Sequence, residues 1–167
     1  MKSRTAIVVP AILYLVSCGG PREASTPQGM LEQAQSLIDR SQYADAIKAL
    51  RKLVNTFPRD STSAQAQYLL GDTFMAYAKD FDQSVKEYRR VVSQYPQSRF
   101  AVNAQFMIGY IFANFISDYE LARTEYERFL ELYSDRADSN LIESVQFELQ
   151  NLGKDLNEVP QLRHITS

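Results

Sequence analysis

The chain has 167 residues, a length typical of a single folded domain. Hydrophobic residues make up 45% of it and charged residues 23%, which excludes a disordered or collagen-like chain. One cysteine and one histidine exclude a disulfide framework and a cysteine-rich zinc module. A net charge of −2 excludes the basic footprint of a nucleic-acid-binding protein, so we expect no nucleic-acid partner.

The N-terminus has the pattern of a bacterial export signal. Lys2 and Arg4 precede the apolar stretch 5–16, whose length suits a signal sequence. A membrane-spanning helix needs about 20 apolar residues, so this stretch is too short to span. Residues 15–18, LVSC, resemble the lipobox of bacterial lipoproteins. The resemblance implies cleavage before Cys18 and acylation of that cysteine; an ordinary secretory signal is the alternative.

The region after Cys18 is a predicted tether, because residues 19–28, GGPREASTPQ, contain turn-forming residues and no apolar period. The lipobox resemblance also implies a destination, because in the enterobacterial sorting pattern a residue other than aspartate at position 19, here glycine, points to the outer membrane, with the protein lipid-anchored on the periplasmic side. We predict four segments: a signal peptide at 1–17, the lipidated cysteine and tether at 18–28, a repeat domain at 29–157 and a tail at 158–167.

The rest of the chain repeats at a constant interval. Tyr43, Phe81 and Tyr119 are equally spaced along the sequence. The three segments that begin at these residues, YADAIKALRKLVNTFP, FDQSVKEYRRVVSQYP and YELARTEYERFLELYS, align without gaps. The segments between them also align at the same interval, AQYLLGD from Ala66 with AQFMIGY from Ala104. Repetition at an interval of this size is typical of stacked helical hairpins.

Each half-repeat has the apolar spacing of an amphipathic helix. Asp60 and Ser98 stand where N-caps are expected, each shortly after an aromatic–proline pair that ends the preceding helix. A last helix, which aligns with the earlier ones at a slightly longer step, is predicted to cap the array. The predicted helices are 29–40, 43–56, 61–78, 81–95, 98–116, 119–133 and 138–155.

These motifs resemble the tetratricopeptide repeat. Leu70-Gly71 followed by Phe74, and Ile108-Gly109 followed by Phe112, match the first helix of that family. The matches in the second helix are Tyr43, Ala46, Leu50 and Pro58, and again Phe81, Ser84, Tyr88 and Pro96. The resemblance implies an all-α solenoid of helical hairpins, with three repeats and the C-terminal capping helix.

Two features of the repeat predict how it packs. Gly71 and Gly109 lack a Cβ atom, which allows a neighbouring helix to approach closely. Charged side chains within the second helices, Glu125 among them, are predicted to lie on solvated helical faces.

A binding groove follows from the resemblance, because the first helices of tetratricopeptide proteins line the concave face. Amides there could clamp an extended peptide backbone beside aromatic pockets; the alternative is that Tyr68 and Phe106 pack against the next helix. The predicted groove consists of Gln65, Tyr68, Asp72, Met75, Asn103, Phe106, Tyr110 and Asn114, to which the closing helix adds Phe147 and Asn151.

No motif in the sequence carries catalysis, metal binding or phosphate binding, so we predict a non-enzyme without a cofactor. A lipid anchor followed by repeats of this kind resembles the BamD (ComL) group of outer-membrane assembly lipoproteins. That resemblance implies a scaffold with a protein or peptide partner in the cell envelope, possibly the outer-membrane barrel insertase complex. The alternatives are a Tol-Pal-associated (YbgF/CpoB-like) division protein and a pilotin-like lipoprotein.

Overall fold

The computed structural model describes residues 25–154, which are helical throughout apart from short connections. Two of the helices each continue through a π-helical turn, Phe74–Ala78 and Phe112–Ile116. Within the described range the helices are α1 Pro27–Asp39, α2 Tyr43–Thr56, α3 Ser61–Thr73, α4 Phe81–Gln94, α5 Arg99–Ile111, α6 Tyr119–Tyr133 and α7 Ser139–Asn151.

The helices form three consecutive hairpins, α1–α2, α3–α4 and α5–α6, and α7 packs on α6. Each hairpin also contacts the next, and the first helices α1, α3 and α5 touch in series. Buried residues form two apolar clusters, one from α1 to α3 and one from α4 to α7. The predicted all-α solenoid of three hairpins and a closing helix is confirmed for the described residues.

The helix ends follow the predicted signals. The Asp60 carboxylate accepts a hydrogen bond from the Thr62 N–H at 2.8 Å, and the Ser98 hydroxyl accepts one from the Ala101 N–H at 3.2 Å. Both interactions satisfy backbone donors that the first turn of a helix leaves free. Helices α2 and α4 end at Thr56 and Gln94, directly before the two aromatic–proline pairs.

The hairpin turns repeat at the same interval as the helices. Ser41, Lys79 and Ser117 all have a positive φ of 55–61° and stand just before the second helix of their hairpin. The residue at this position has a left-handed backbone conformation in each hairpin, as is common where a helix ends. After α7 the left-handed position is taken by Gly153, with φ 75°.

The predicted close approach at the glycines is made by tyrosine rings. A Cβ atom on Gly71 would lie 2.5 Å from the Tyr88 ring, and one on Gly109 would lie 2.6 Å from the Tyr126 ring. Both distances are far below carbon–carbon contact, so no side chain fits unless the ring moves. In the second and third hairpins, the glycine of the first helix therefore makes room for the tyrosine ring of the second helix.

Three expectations need correction. Helix α1 begins at Pro27, inside the predicted tether, because Thr26 caps it and proline suits the first helical position. Helix α7 ends at Asn151 rather than 155, because the chain turns at Gly153. Glu125 is buried, with 3% of its surface exposed, and does not lie on a solvated face. Cys18, the signal sequence and the predicted tail lie outside the described residues.

Candidate functional site

The predicted groove residues lie on α3 and α5, and their environments differ along the chain. Tyr68, Asp72, Phe106 and Tyr110 are half-buried, whereas Asn103 is exposed. The half-buried side chains pack against neighbouring rings, and the exposed amide makes no hydrogen bond within residues 25–154. The groove is therefore a mixture of packing residues and free polar groups.

Tyr68 contacts two rings of the second and third hairpins. Its ring centroid lies 5.3 Å from that of Tyr88 and 5.7 Å from that of Phe100. Burial raises the pKa of Tyr68 above its ordinary value, and the charge of Asp72 raises it further. Tyr68 thus packs against its neighbours, as the alternative interpretation expected, while part of its ring stays open.

Asp72 is hydrogen-bonded to a tyrosine of α4, the second helix of the same hairpin. The Tyr88 hydroxyl donates a hydrogen bond of 2.5 Å to its Oδ1 atom. Burial raises the pKa of Asp72, and the hydrogen bond from Tyr88 acts in the opposite direction. A half-buried carboxylate with one donor retains unused acceptor capacity, so Asp72 can accept a further hydrogen bond from a ligand.

The third hairpin replaces this pair with a cluster of rings. The Phe106 ring lies 6.0 Å from both Tyr110 and Tyr126, and Tyr110 meets the edge of Phe115 at 5.9 Å. Tyr110 stands at the position of Asp72, and the buried Tyr126 hydroxyl has no hydrogen-bond partner among the described residues. Burial raises the pKa of Tyr126, with the Glu148 charge adding to the shift.

Asn103 borders a polar cavity of about 400 Å³ at the junction of α5 with the α6–α7 connection. Arg136, also in the lining, donates a hydrogen bond to the Pro96 carbonyl oxygen at 3.0 Å. The α6–α7 connection beside the cavity is longer than the α4–α5 connection that precedes it. The cavity lining is Gln97, Arg99, Val102, Asn103, Arg136, Ala137, Asp138 and Leu141.

The remaining groove residues contribute less. Met75 packs against the core. The Asn114 side-chain amide donates a hydrogen bond to the Tyr110 carbonyl oxygen at 3.1 Å, one turn earlier in the chain. Gln65 is half-exposed and its amide has no partner in the described part of the chain. On α7, Asn151 likewise donates to the Phe147 carbonyl oxygen, at 2.7 Å.

The α7 surface carries a second cavity, of about 510 Å³, lined by Asn140, Glu143, Ser144, Phe147 and Glu148. Burial raises the pKa of Glu148. Phe147 stands at the position of Tyr68 and Phe106, so the ring row predicted along the first helices continues onto α7.

Sequence reasoning missed a pair of buried carboxylates that link the hairpins. Glu87 has 1% of its surface exposed and accepts hydrogen bonds from Gln67 at 2.5 Å and Arg90 at 2.8 Å. Arg51 of the preceding hairpin lies 3.7 Å from its other oxygen. A buried carboxylate needs partners to offset its lost hydration. The Oε2 atom of Glu87 has two hydrogen bonds, whereas its Oε1 atom has only the ion pair with Arg51 and no hydrogen bond among the described residues.

The same residue types recur one repeat later around Glu125, with the two arginines in exchanged roles: here the arginine of the preceding hairpin makes the hydrogen bond. Gln105 donates to its carboxylate at 2.8 Å, and Arg89 of the preceding hairpin donates at 2.6 Å. Arg128 lies 3.9 Å away, in the place of Arg90. The signal was present in the sequence, because Gln, Glu and both arginines repeat at the same step.

The same range also bears on metal binding and on membrane crossing. Within residues 25–154 no three His, Cys, Asp or Glu side chains come together in a way that could hold a metal ion. Of the helices that the structure describes, none combines the length and the apolar character that crossing a bilayer requires.

The chain matches a known protein family over most of the helices described above. Residues 21–128 match the family YfiO, described as outer membrane lipoprotein. The match begins before α1 and ends within α6, so it includes the first two hairpins and most of the third. No curated protein sequence matches the chain. Because the family match covers well over half of the chain, this protein belongs to the YfiO family of outer membrane lipoproteins, the BamD-like group that its repeats indicate.

Proposed function

We propose that this protein is a lipid-anchored scaffold that assists the assembly of outer-membrane proteins by binding a peptide segment of an envelope partner. The observation that carries the proposal is the family match over residues 21–128, which spans the helices that bear the predicted groove. The protein acts by binding rather than by catalysis, and its partner is the outer-membrane barrel insertase or one of its accessory proteins.

The groove supports this function through two unused amides. Gln65 and Asn103 occupy the same place in successive repeats and lack hydrogen-bond partners in the described chain. Each stands about one helical turn before a half-buried ring. An amide side chain donates and accepts, so it can pair with the backbone of an extended peptide. Tyr68 and Phe106 then supply apolar contact area beside the clamp.

The test is photocrosslinking in living cells from position 103, with exposed Lys86 on α4 as the matched control. Position 103 is expected to trap insertase components and position 86 is not. Asn103→Ala is expected to lower the affinity by about tenfold, the loss typical of an interface anchor, with an unchanged melting temperature. Equal crosslinking at both positions would refute the groove, and trapping of division or secretin components would refute the assembly role.

The anchor is a separate part of the proposal. We infer that Cys18 carries the lipid and holds the protein at the periplasmic face of the outer membrane. Several acyl chains make such attachment durable, because each buried methylene contributes about 0.8 kcal/mol. Cys18→Ala is expected to abolish palmitate incorporation and release the protein from the membrane fraction. Labelling of the variant, or an unlabelled wild type, would contradict the lipoprotein assignment.

A further inference from the structure

The hydroxyl of Tyr126 is a buried polar group without a partner. The Tyr126 side chain is fully buried, and its Oη atom makes no hydrogen bond to any residue of the range 25–154. Such a hydroxyl is unfavourable, because it has lost its bonds to water and has gained none in the protein. Phenylalanine would fill the same space without that cost, so the hydroxyl indicates a partner that the described chain does not supply.

The preceding hairpin shows which partner a tyrosine at this position takes. Tyr88, one repeat earlier, donates its hydrogen bond to the carboxylate of Asp72. In the third hairpin Tyr110 replaces Asp72, and the carboxylate near Tyr126 belongs to Glu148 on α7. The charge of Glu148 contributes to the raised pKa of Tyr126, yet no hydrogen bond joins the two groups. The carboxylate is therefore close to the hydroxyl but is not bonded to it.

Glu148 also lacks a counter-charge. Its side chain is half-buried and makes no hydrogen bond or ion pair with another described residue. Two basic residues stand near it in the fold and do not pair with it. The Lys154 ammonium lies 3.4 Å from the Asn151 Oδ1 atom, and Arg123, one turn before Tyr126 on α6, is exposed. A carboxylate that has lost part of its hydration is stabilised by a nearby cation.

An open cavity on α7 gives access to Glu148. Its lining contains two carboxylates, Glu143 and Glu148, together with the Phe147 ring and no basic side chain. Phe147 aligns with Phe106 of α5, so this cavity lies on the face of α7 that corresponds to the predicted groove. The face of an aromatic ring attracts cations, as carboxylates do. A positively charged group therefore matches this lining, and an anionic one does not.

We propose that the α7 site, formed by Tyr126, Phe147 and Glu148, binds a lysine or arginine side chain of the partner peptide. The cation enters through the cavity and pairs with the Glu148 carboxylate beside the Phe147 ring. After a rotation of the Glu148 side chain, the Tyr126 hydroxyl donates a hydrogen bond to the same carboxylate, which has acceptor capacity for both. Tyr126 is thus a positioning residue. This inference rests on the proposed function, because the cation belongs to the peptide that the groove binds.

The experiment measures the binding of acetyl-Ser-Ser-Trp-Ser-Lys-Ser-Ser-amide to the full chain at neutral pH. The protein has no tryptophan, so the fluorescence of this lysine probe reports its own binding. A second probe carries norleucine in place of lysine, which keeps the aliphatic side chain and removes the charge. The norleucine probe is expected to bind about tenfold more weakly, as loss of a partly buried charge pair implies. A probe with arginine in place of lysine is expected to bind as the lysine probe does.

Variants of the protein assign the effect to the site. Glu148→Gln is expected to weaken binding of the lysine probe about tenfold and to leave binding of the norleucine probe unchanged. Tyr126→Phe is expected to weaken it about fivefold, as loss of one hydrogen bond does, without lowering the free energy of unfolding. Glu32→Gln makes the same change of charge on an exposed residue of α1, at the opposite end of the array. This matched control is expected to bind as wild type does.

Four results would overturn the proposal. Equal affinity for the lysine and norleucine probes, or equal affinity of Glu148→Gln and wild type, would remove the cation from the site. Wild-type affinity of Tyr126→Phe would remove the hydroxyl from it. Stronger binding of the probe by Arg163→Gln would assign the site to the chain's own segment 155–167. A dimer in sedimentation that Glu148→Gln dissociates would assign it to a second copy.

The variant Asn103→Ala separates this inference from the proposed function. If Asn103→Ala weakens binding of the lysine probe and Glu148→Gln does not, the cation site is wrong and the groove is supported. If Glu148→Gln weakens binding and Asn103→Ala does not, the cation site is supported and the amide clamp is wrong.

Discussion

The second and third hairpins share a framework and differ in what they present. Both contain a glycine under a tyrosine ring and a buried glutamate held by a glutamine and two arginines. They diverge at positions that are at least partly exposed, since Asp72 is replaced by Tyr110 and Gln83 by Leu121. The contacts that stack one hairpin on the next are thus constant, and the surfaces available to partners are individual to each hairpin.

The glutamate clusters show why the framework is constant. Arg51 reaches forward from the first hairpin to Glu87 of the second, and Arg89 reaches forward to Glu125 of the third. The corresponding position on α6 is Glu127, which is exposed and cannot make the same bond to a further hairpin. The repeated linkage therefore ends at α6, where α7 closes the array.

The largest expected effect tests the shared glycine contact. Gly109→Leu should lower the free energy of unfolding by about 3 kcal/mol, the upper part of the range for overpacked sites, because its Cβ atom alone overlaps the Tyr126 ring. Gly71→Leu should have the same effect through Tyr88. Thermal melts check both against exposed Lys86→Leu, and equal stability of Gly109→Leu and Lys86→Leu would disprove the close contact.

An intermediate effect tests the difference between the two buried tyrosines. Tyr88→Phe removes the hydrogen bond to Asp72 and should cost about 1.5 kcal/mol, as expected for a bond to a carboxylate. Tyr126→Phe removes a buried hydroxyl that has no partner among residues 25–154, so stability should stay the same or rise. Urea denaturation measures both, and equal losses would show that the Tyr126 hydroxyl is bonded in solution.

The smallest effect concerns pH. Burial raises the pKa of Asp72 in the folded state above its ordinary value of 3.8, so the folded protein holds this proton more tightly than the unfolded chain. The stabilisation is complete below that ordinary value and is lost as the pH rises through the raised pKa. Asp72→Asn keeps an acceptor for Tyr88 and removes the titration.

Asp72→Asn should therefore gain stability relative to wild type as the pH rises from the ordinary pKa of 3.8 through the raised pKa of folded Asp72. Denaturant unfolding at a series of pH values measures the difference between the two proteins. The stability of Glu148→Gln relative to wild type should also increase as the pH rises, because burial raises the pKa of Glu148 as well. A difference for Asp72→Asn that does not change with pH would show that Asp72 is well hydrated.

Most of the fold was predictable because its signals are local or periodic. The caps at Asp60 and Ser98, the helix ends before each aromatic–proline pair and the close approach at Gly71 and Gly109 all follow from short stretches of sequence. Among the predicted groove residues, Asn103 is exposed. That these residues bind a partner stays a prediction.

The sequence by itself determined the repeat interval, the hairpins and the positions that must be small. Only the tertiary structure decided that Glu87 and Glu125 are buried, because their burial depends on arginines that come from the preceding hairpin. It also decided that the Tyr119 ring lies open, since exposure depends on which side chain reaches a site and not on the residue's own character. Local chemistry determines helices and their ends, whereas burial and pairing are properties of the packed array.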